Sequence, residues 1–95
     1  MSAQSLPMTG IAVRNKFAVA YHLARDKYGG AQMARGIHFH VNPATMYHWR
    51  NLLLREIEDV YTEANPPPGV DCIILGERII EDAAIPLDTI ETIPL

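Results

Sequence analysis

The sequence predicts a mainly α-helical fold that ends in a short β-hairpin or an extended segment. Apolar residues recur at helical spacing through the first two thirds of the chain, and helix start and stop signals divide that stretch. Two short apolar runs follow a triple proline at 66–68. We therefore expect a helical core over residues 1–65 and an acidic extended or β tail over residues 66–95, within one domain overall.

Size and composition narrow the class of protein. A chain of 95 residues forms one domain with one small core. Its composition, 48% hydrophobic and 20% charged, is that of a globular chain, and no apolar run approaches the roughly 20 residues that cross a bilayer. The N-terminus lacks a secretory signal pattern, and the single cysteine, Cys72, has no internal disulfide partner. These features predict a cytoplasmic protein.

Charge is distributed unevenly along the chain. Residues 1–50 contain six Lys or Arg against one acid, a net charge of +5, while residues 51–95 contain two against ten, a net charge of −8. This asymmetry suits a protein that binds a polyanion at one end and keeps its other end away from it. Chance variation in a short chain is the alternative explanation.

The first predicted helix runs from Val13 to Tyr28. Its apolar positions are spaced by three and four residues, and Gly29-Gly30 supplies a stop signal. These positions are Phe17, Ala20, Tyr21, Leu23 and Ala24.

Two further helices are predicted before the prolines. Residues 31–39 fit two helical turns, and Asn42-Pro43 then reads as an N-cap followed by a first-turn proline. The third helix should continue to about Ala64, where Asn65 and the prolines end it. Its apolar stripe is Met46, Trp49, Leu53, Ile57, Val60 and Tyr61. Beyond the prolines, VDCIIL and RIIED flank Gly76-Glu77 and suggest two short strands, or one strand and a return.

The segment GIHFHVNPATMYHWR resembles the helix-turn-helix family of DNA-binding proteins. Counting from Gln32, the fifth position is Gly36 and the apolar eighth, tenth, fifteenth and eighteenth are Phe39, Val41, Met46 and Trp49. In that family these positions let two helices cross closely and bury the recognition helix. The ninth position usually holds glycine and here is His40, a residue enriched among non-glycine positive-φ positions. The fourth position, Arg35, is also more polar than is usual.

The resemblance implies that residues 1–65 are a helix-turn-helix core whose third helix, about 43–54, enters the major groove of duplex DNA. With Met46, Trp49 and Leu53 inward, the base-contacting candidates are Asn42, Ala44, Thr45, Tyr47, His48 and Asn51. The phosphate-contacting candidates are Arg14, Lys16, Arg35 and Arg50. The alternative is an amphipathic core helix whose polar face only meets water.

Proteins of this family commonly pair so that two helices enter successive grooves, so a homodimer is expected. The dimerisation candidates are Leu54, Ile57, Val60, Tyr61, Ile73, Ile74 and Leu75. These apolar residues exceed what a two-stranded hairpin can bury alone. The alternative is that the segment folds back and completes the core of its own chain.

Other residues suggest chemistry less strongly. His38 and His40 would share one face if residues 37–41 were a strand, a possible zinc pair without a nearby third ligand. Cys72 lies in an apolar run and reads as buried packing rather than a nucleophile. The acids Glu56, Glu58, Asp59 and Glu63 are typical of a solvated helical face. Because no catalytic motif is present, we expect neither enzymatic activity nor a cofactor.

The predicted function is therefore sequence-specific binding of duplex DNA by a transcriptional regulator, of the kind that small phage, prophage or plasmid regulators represent. Two alternatives stay open. One is a small phage-type interaction module, an inhibitor or adaptor that binds a protein through its acidic half. The other is a DNA-packaging or excision accessory factor.

Overall fold

The computed structural model describes residues 8–95, and in this range it contains two helices and four strands. In chain order they are α1 (Gly10–Met33), β1 (Ile37–Val41), α2 (Pro43–Glu56), β2 (Val70–Ile74), β3 (Glu77–Glu81) and β4 (Ile90–Pro94). The fold is α+β, and the prediction of a mainly α three-helix core is wrong.

The strands form one mixed sheet in the order β2-β3-β1-β4. β1 pairs in parallel with β3, where Phe39 lies opposite Ile79, and antiparallel with β4, where Phe39 lies opposite Thr92. β2 and β3 form an antiparallel hairpin, so the two short strands expected around Gly76 are present. Leu75 and Gly76 have φ values of 54° and 76°, the positive values that a two-residue hairpin turn favours. The sequence analysis missed β4.

The hydrophobic core lies between the helices and one face of this sheet. Ile37, Phe39 and Val41 alternate along β1 and are buried. Phe17 of α1 packs edge-on against Phe39 and Trp49, with ring centroids 5.2 Å and 5.8 Å apart. One aromatic side chain thus joins both helices to the sheet.

The predicted second helix at 31–39 is not formed. α1 breaks at Gly29 (φ 80°, ψ 171°) and resumes to Met33, after which Gly36 (φ 94°) leads into β1. The segment IHFHV alternates buried and half-buried residues and pairs with a strand on each side. These non-local pairings outweigh a local pattern that suits a short helix equally well. The helix-turn-helix unit expected over residues 32–51 is therefore absent, because α2 follows a strand.

The predicted third helix begins as expected and ends early. Asn42 caps α2 by accepting a hydrogen bond from the Ala44 N–H at 2.8 Å, and Pro43 is its first residue. The helix stops at Glu56 rather than near Ala64, since Ile57 is extended (φ −115°, ψ 117°). Tyr61 then exchanges two backbone hydrogen bonds with Ile73, at 3.3 Å and 2.8 Å, as an isolated bridge beside β2. Residues 58–59 thus form a turn between the end of α2 and this bridge.

The start of α1 touches the end of α2 at Gly10. A Cβ at this position would lie 2.8 Å from both the Glu56 Cβ and the Leu52 carbonyl oxygen. We expect Gly10→Ala to lower the free energy of unfolding by about 1–3 kcal/mol, because this overlap outweighs the roughly 1 kcal/mol by which alanine improves a helix. Urea unfolding followed by circular dichroism measures the change.

The matched control is Gly30→Ala, also in α1, where an added Cβ meets nothing within 4 Å. That variant should gain up to about 1 kcal/mol. Stabilisation by both substitutions would show that the two helices do not approach closely at Gly10.

Candidate binding surfaces

The outward face of α2 carries most of the residues predicted to contact DNA bases. Ala44, Tyr47, His48 and Asn51 are all exposed, and Tyr47 is 75% exposed. The Tyr47 and His48 rings meet edge to face, with centroids 5.5 Å apart. Met46, Trp49 and Leu53 are buried on the opposite side and fix the orientation of the helix.

The other two residues predicted to contact bases, Asn42 and Thr45, form hydrogen bonds within the protein instead. Besides capping α2, Asn42 donates a hydrogen bond from Nδ2 to the Ile85 carbonyl oxygen at 2.9 Å. Thr45 is buried, and its Oγ1 accepts a hydrogen bond from the Asp88 N–H at 2.9 Å. The loop between β3 and β4 therefore covers the side of the α2 N-terminus that carries Asn42 and Thr45, whereas Ala44 and the outward face from Tyr47 onward are open.

The four predicted phosphate contacts differ in their surroundings. Arg14 pairs with Asp59 at 3.3 Å, and the Nε of Arg50 lies 3.1 Å from Oδ1 of Asp71. Lys16 lines a groove beside α1, and Arg35 is exposed just before β1. Two of the four cations are thus already paired with carboxylates of the acidic half. The partners are distant in sequence, so no local pattern reveals these pairs.

The predicted dimerisation residues are split between core and surface. Val60 and Ile74 are buried in the monomer core, where they cannot meet a second copy. Ile57, Ile73 and Leu75 are half-buried, while Leu54 and Tyr61 are exposed. Much of this segment completes the core of its own chain, which was the alternative reading of its apolar surplus.

His38 and His40 lie on the face of the sheet away from the helices, with ring centroids 6.4 Å apart. His40 Nδ1 is 2.9 Å from Oδ2 of Asp82, and this hydrogen bond lowers the pKa of Asp82. Burial, with His40 and Arg78 nearby, lowers the pKa of His38. Within residues 8–95, no cluster of three or more His, Cys, Asp or Glu side chains is arranged to hold a metal ion.

An acidic cluster that sequence reasoning missed lies between α2 and the β2–β3 hairpin. The Asp71 side chain is only 6% exposed. Its Oδ1 forms an ion pair with Nε of Arg50 but accepts no hydrogen bond, because the Arg50 N–H is not aligned with it. A hydrogen bond with Asp71, together with burial, raises the pKa of Glu81. Nearby, Arg78 donates two hydrogen bonds to Glu63, at 2.7 Å and 2.9 Å.

Cys72 lies beside this cluster in sequence but is buried in the core. Burial, with Asp71 adding to it, raises the pKa of the thiol to about 12. The thiol is therefore protonated at neutral pH and unsuited to nucleophilic attack.

A groove of about 660 Å³ runs along α1, from Met8 to Leu23. Trp49 and Ile90 line its inner side, and Val19 and Leu23 on its rim are exposed. The sequence contained a signal for this groove. Ile11, Val19 and Leu23 form a second apolar stripe on α1. It lies beside the buried stripe of Val13, Phe17 and Ala24.

Comparison of the chain with protein-family models, with curated proteins and with solved structures gave no match in any of the three.

None of the helices described in residues 8–95 is long and apolar enough to span a bilayer.

Proposed function

We propose that this is a cytoplasmic DNA-binding protein of the regulatory kind, which contacts duplex DNA through the outward face of α2. The observation that carries the proposal is the exposure of Tyr47, His48 and Asn51 on one face of a helix whose other face is anchored in the core. The major groove admits an α-helix, and Asn and His side chains can hydrogen-bond to base edges there.

The docking proposed here differs from that of a helix-turn-helix protein. α2 has no preceding helix to lie across the backbone, and the loop containing Asp88 covers the side of its N-terminus that carries Thr45. Contact must therefore involve Ala44 and the stretch from Tyr47 to Arg55. Because Arg14 and Arg50 are paired with Asp59 and Asp71, few cations are free for phosphates, and one copy should bind weakly with a shallow salt dependence.

The test is a fluorescence-anisotropy titration of the full chain against the duplex upstream of its own gene and against random duplex, at low and moderate salt. We expect the double variant Tyr47→Ala, Asn51→Ala to bind the upstream duplex about tenfold or more weakly, since each lost base contact is worth about 1–3 kcal/mol. The matched control is Tyr61→Ala, Asn65→Ala, which removes an exposed Tyr and an exposed Asn outside α2 and should bind like the wild type.

Absence of binding to either duplex at low salt would refute the proposal. Equal loss in both double variants would show that α2 is not the contact surface.

Protein binding through the acidic half is the second candidate, and the cluster around Asp71 and Glu81 favours it. This cluster borders a surface depression of about 390 Å³ that Glu63 and Arg50 also line. Asp71 and Glu63 are paired with arginines, whereas Glu81 forms no ion pair within residues 8–95 and is the acid that suits a basic side chain of a partner. Salt-sensitive binding of a lysine-rich peptide that Glu81→Gln weakens, with no binding to DNA, would select this function over the first.

A further inference from the structure

α1 is apolar on two sides, and only one of them is used by the fold. Val13, Phe17 and Ala24 are buried against α2 and the sheet. On the other side, Val19 is 58% exposed and Leu23 is 64% exposed. Large apolar side chains grouped on one exposed side of a helix mark an interaction surface, and within residues 8–95 these two side chains stay uncovered.

The unused face borders a groove long enough for a helix. Its helical part, from Ala12 to Leu23, spans about 16 Å at the α-helical rise. Ala12 and Ala20 lie along it between larger side chains, so a second helix can approach closely.

The groove holds one charge of each sign. Lys16 projects from α1 and Asp88 from the β3–β4 loop, and these are the charged side chains that line it. Within residues 8–95 neither forms an ion pair with another side chain. A twofold axis through the groove would place Lys16 of each copy near Asp88 of the other.

We propose that this groove binds a second copy of the chain, so that α1 packs against α1 of the partner in a twofold-symmetric dimer held by the Val19–Leu23 face and two Lys16–Asp88 pairs. Such an interface is isologous, since the same patch serves both copies. An apolar centre flanked by ion pairs is the usual composition of a dimer contact. The balance of one cation and one anion favours a second copy over a strongly charged partner.

The dimer does not depend on what α2 binds, and it replaces the interface predicted from the sequence. The earlier candidates Val60 and Ile74 are buried in the core, whereas α1 offers an open face. Dimerisation would also supply the second α2 that a weakly binding copy needs on duplex DNA.

The test is sedimentation velocity of the full chain, without DNA, from micromolar to millimolar concentration. We expect the wild type to dimerise, with a mass twice the 10.6 kDa of one chain, and Leu23→Glu to remain monomeric. The matched control is Leu54→Glu, which alters an exposed leucine on α2 and should dimerise like the wild type. Circular dichroism of each variant verifies that it is folded.

A monomeric wild type at millimolar concentration would overturn the proposal. Loss of the dimer in Leu54→Glu but not in Leu23→Glu would also overturn it and would place the interface on α2.

A double-mutant cycle tests the ion pairs separately. Lys16→Gln and Asp88→Asn should each weaken dimerisation about three- to tenfold, and the double variant should be no weaker than either alone. Asparagine suits position 88, where φ is 54°. Additive losses would show that the two side chains do not meet across the axis.

Discussion

Replacing Phe17 with alanine is expected to lower the free energy of unfolding by about 3–5 kcal/mol. The Phe17 side chain is completely buried and is in edge-on contact with Phe39 of β1 and Trp49 of α2. Its removal leaves a cavity where three elements meet, and neither ring can move in without breaking its own packing. Since small domains unfold at only about 5–15 kcal/mol, the variant should be at the edge of stability at room temperature.

Urea unfolding monitored by Trp49 fluorescence and by circular dichroism measures this loss. The matched control is Ile11→Ala on the same helix, which removes methyl groups from a position that is exposed and outside the groove, and it should change stability by less than about 0.5 kcal/mol. Equal small losses in both variants would place Phe17 outside the core and contradict the packing of α1 on the sheet.

Local signals in the sequence predicted the start and the buried face of α2, but not its end at Glu56. Asn42-Pro43 predicts the start of the helix from adjacent residues alone. The spacing of Met46, Trp49 and Leu53 predicts its buried face. The exposure of Tyr47, His48 and Asn51 follows from the same periodicity. The signal for the hairpin turn is equally local, although the turn lies at Leu75-Gly76 and not at the predicted Gly76-Glu77.

The features that the sequence did not predict depend on contacts between residues far apart in the chain. The segment 31–39 fits a short helix by spacing, but β1 exists because β3 and β4, about 40 and 53 residues further on, pair with both of its edges. The same applies to the binding surfaces. Thr45 is covered by a loop residue 43 positions away, and Arg14 pairs with an acid 45 positions away.

Arg50 shows how this affects the interpretation of DNA-binding variants. As a free cation it would be a phosphate contact, but in the fold it is the cation nearest to a carboxylate that is almost fully buried. We expect Arg50→Met, which keeps the aliphatic part of the side chain, to lower the free energy of unfolding by about 1–3 kcal/mol at neutral pH. The value is well below that for a fully buried pair because Arg50 is 48% exposed and water replaces part of its effect.

The loss should depend on pH in a defined direction. The hydrogen bond with Asp71 and burial raise the pKa of Glu81 above its usual 4.5, whereas the charge of Arg50 opposes that rise. Removing Arg50 therefore raises the pKa of Glu81 further. A carboxyl group with a raised folded-state pKa adds stability below its unfolded value, and that stability is lost as the pH rises through the folded pKa. The destabilisation of Arg50→Met should thus be largest at neutral pH and should shrink as the pH falls toward 4.5.

Urea unfolding of wild type and variant at both pH values measures the effect, and Arg55→Met is the matched control. Arg55 lies on the same helix, is 72% exposed and is 3.7 Å from Glu56, so its loss should cost less than about 0.5 kcal/mol at either pH. Equal effects of the two substitutions would mean that Arg50 does not stabilise the buried carboxylate. If the difference is found, weak DNA binding by an Arg50 variant at neutral pH reflects the disturbed ion pair with Asp71 as well as a lost phosphate contact. Arg55→Met, which leaves the fold intact, then becomes the cleaner probe of phosphate contact along α2.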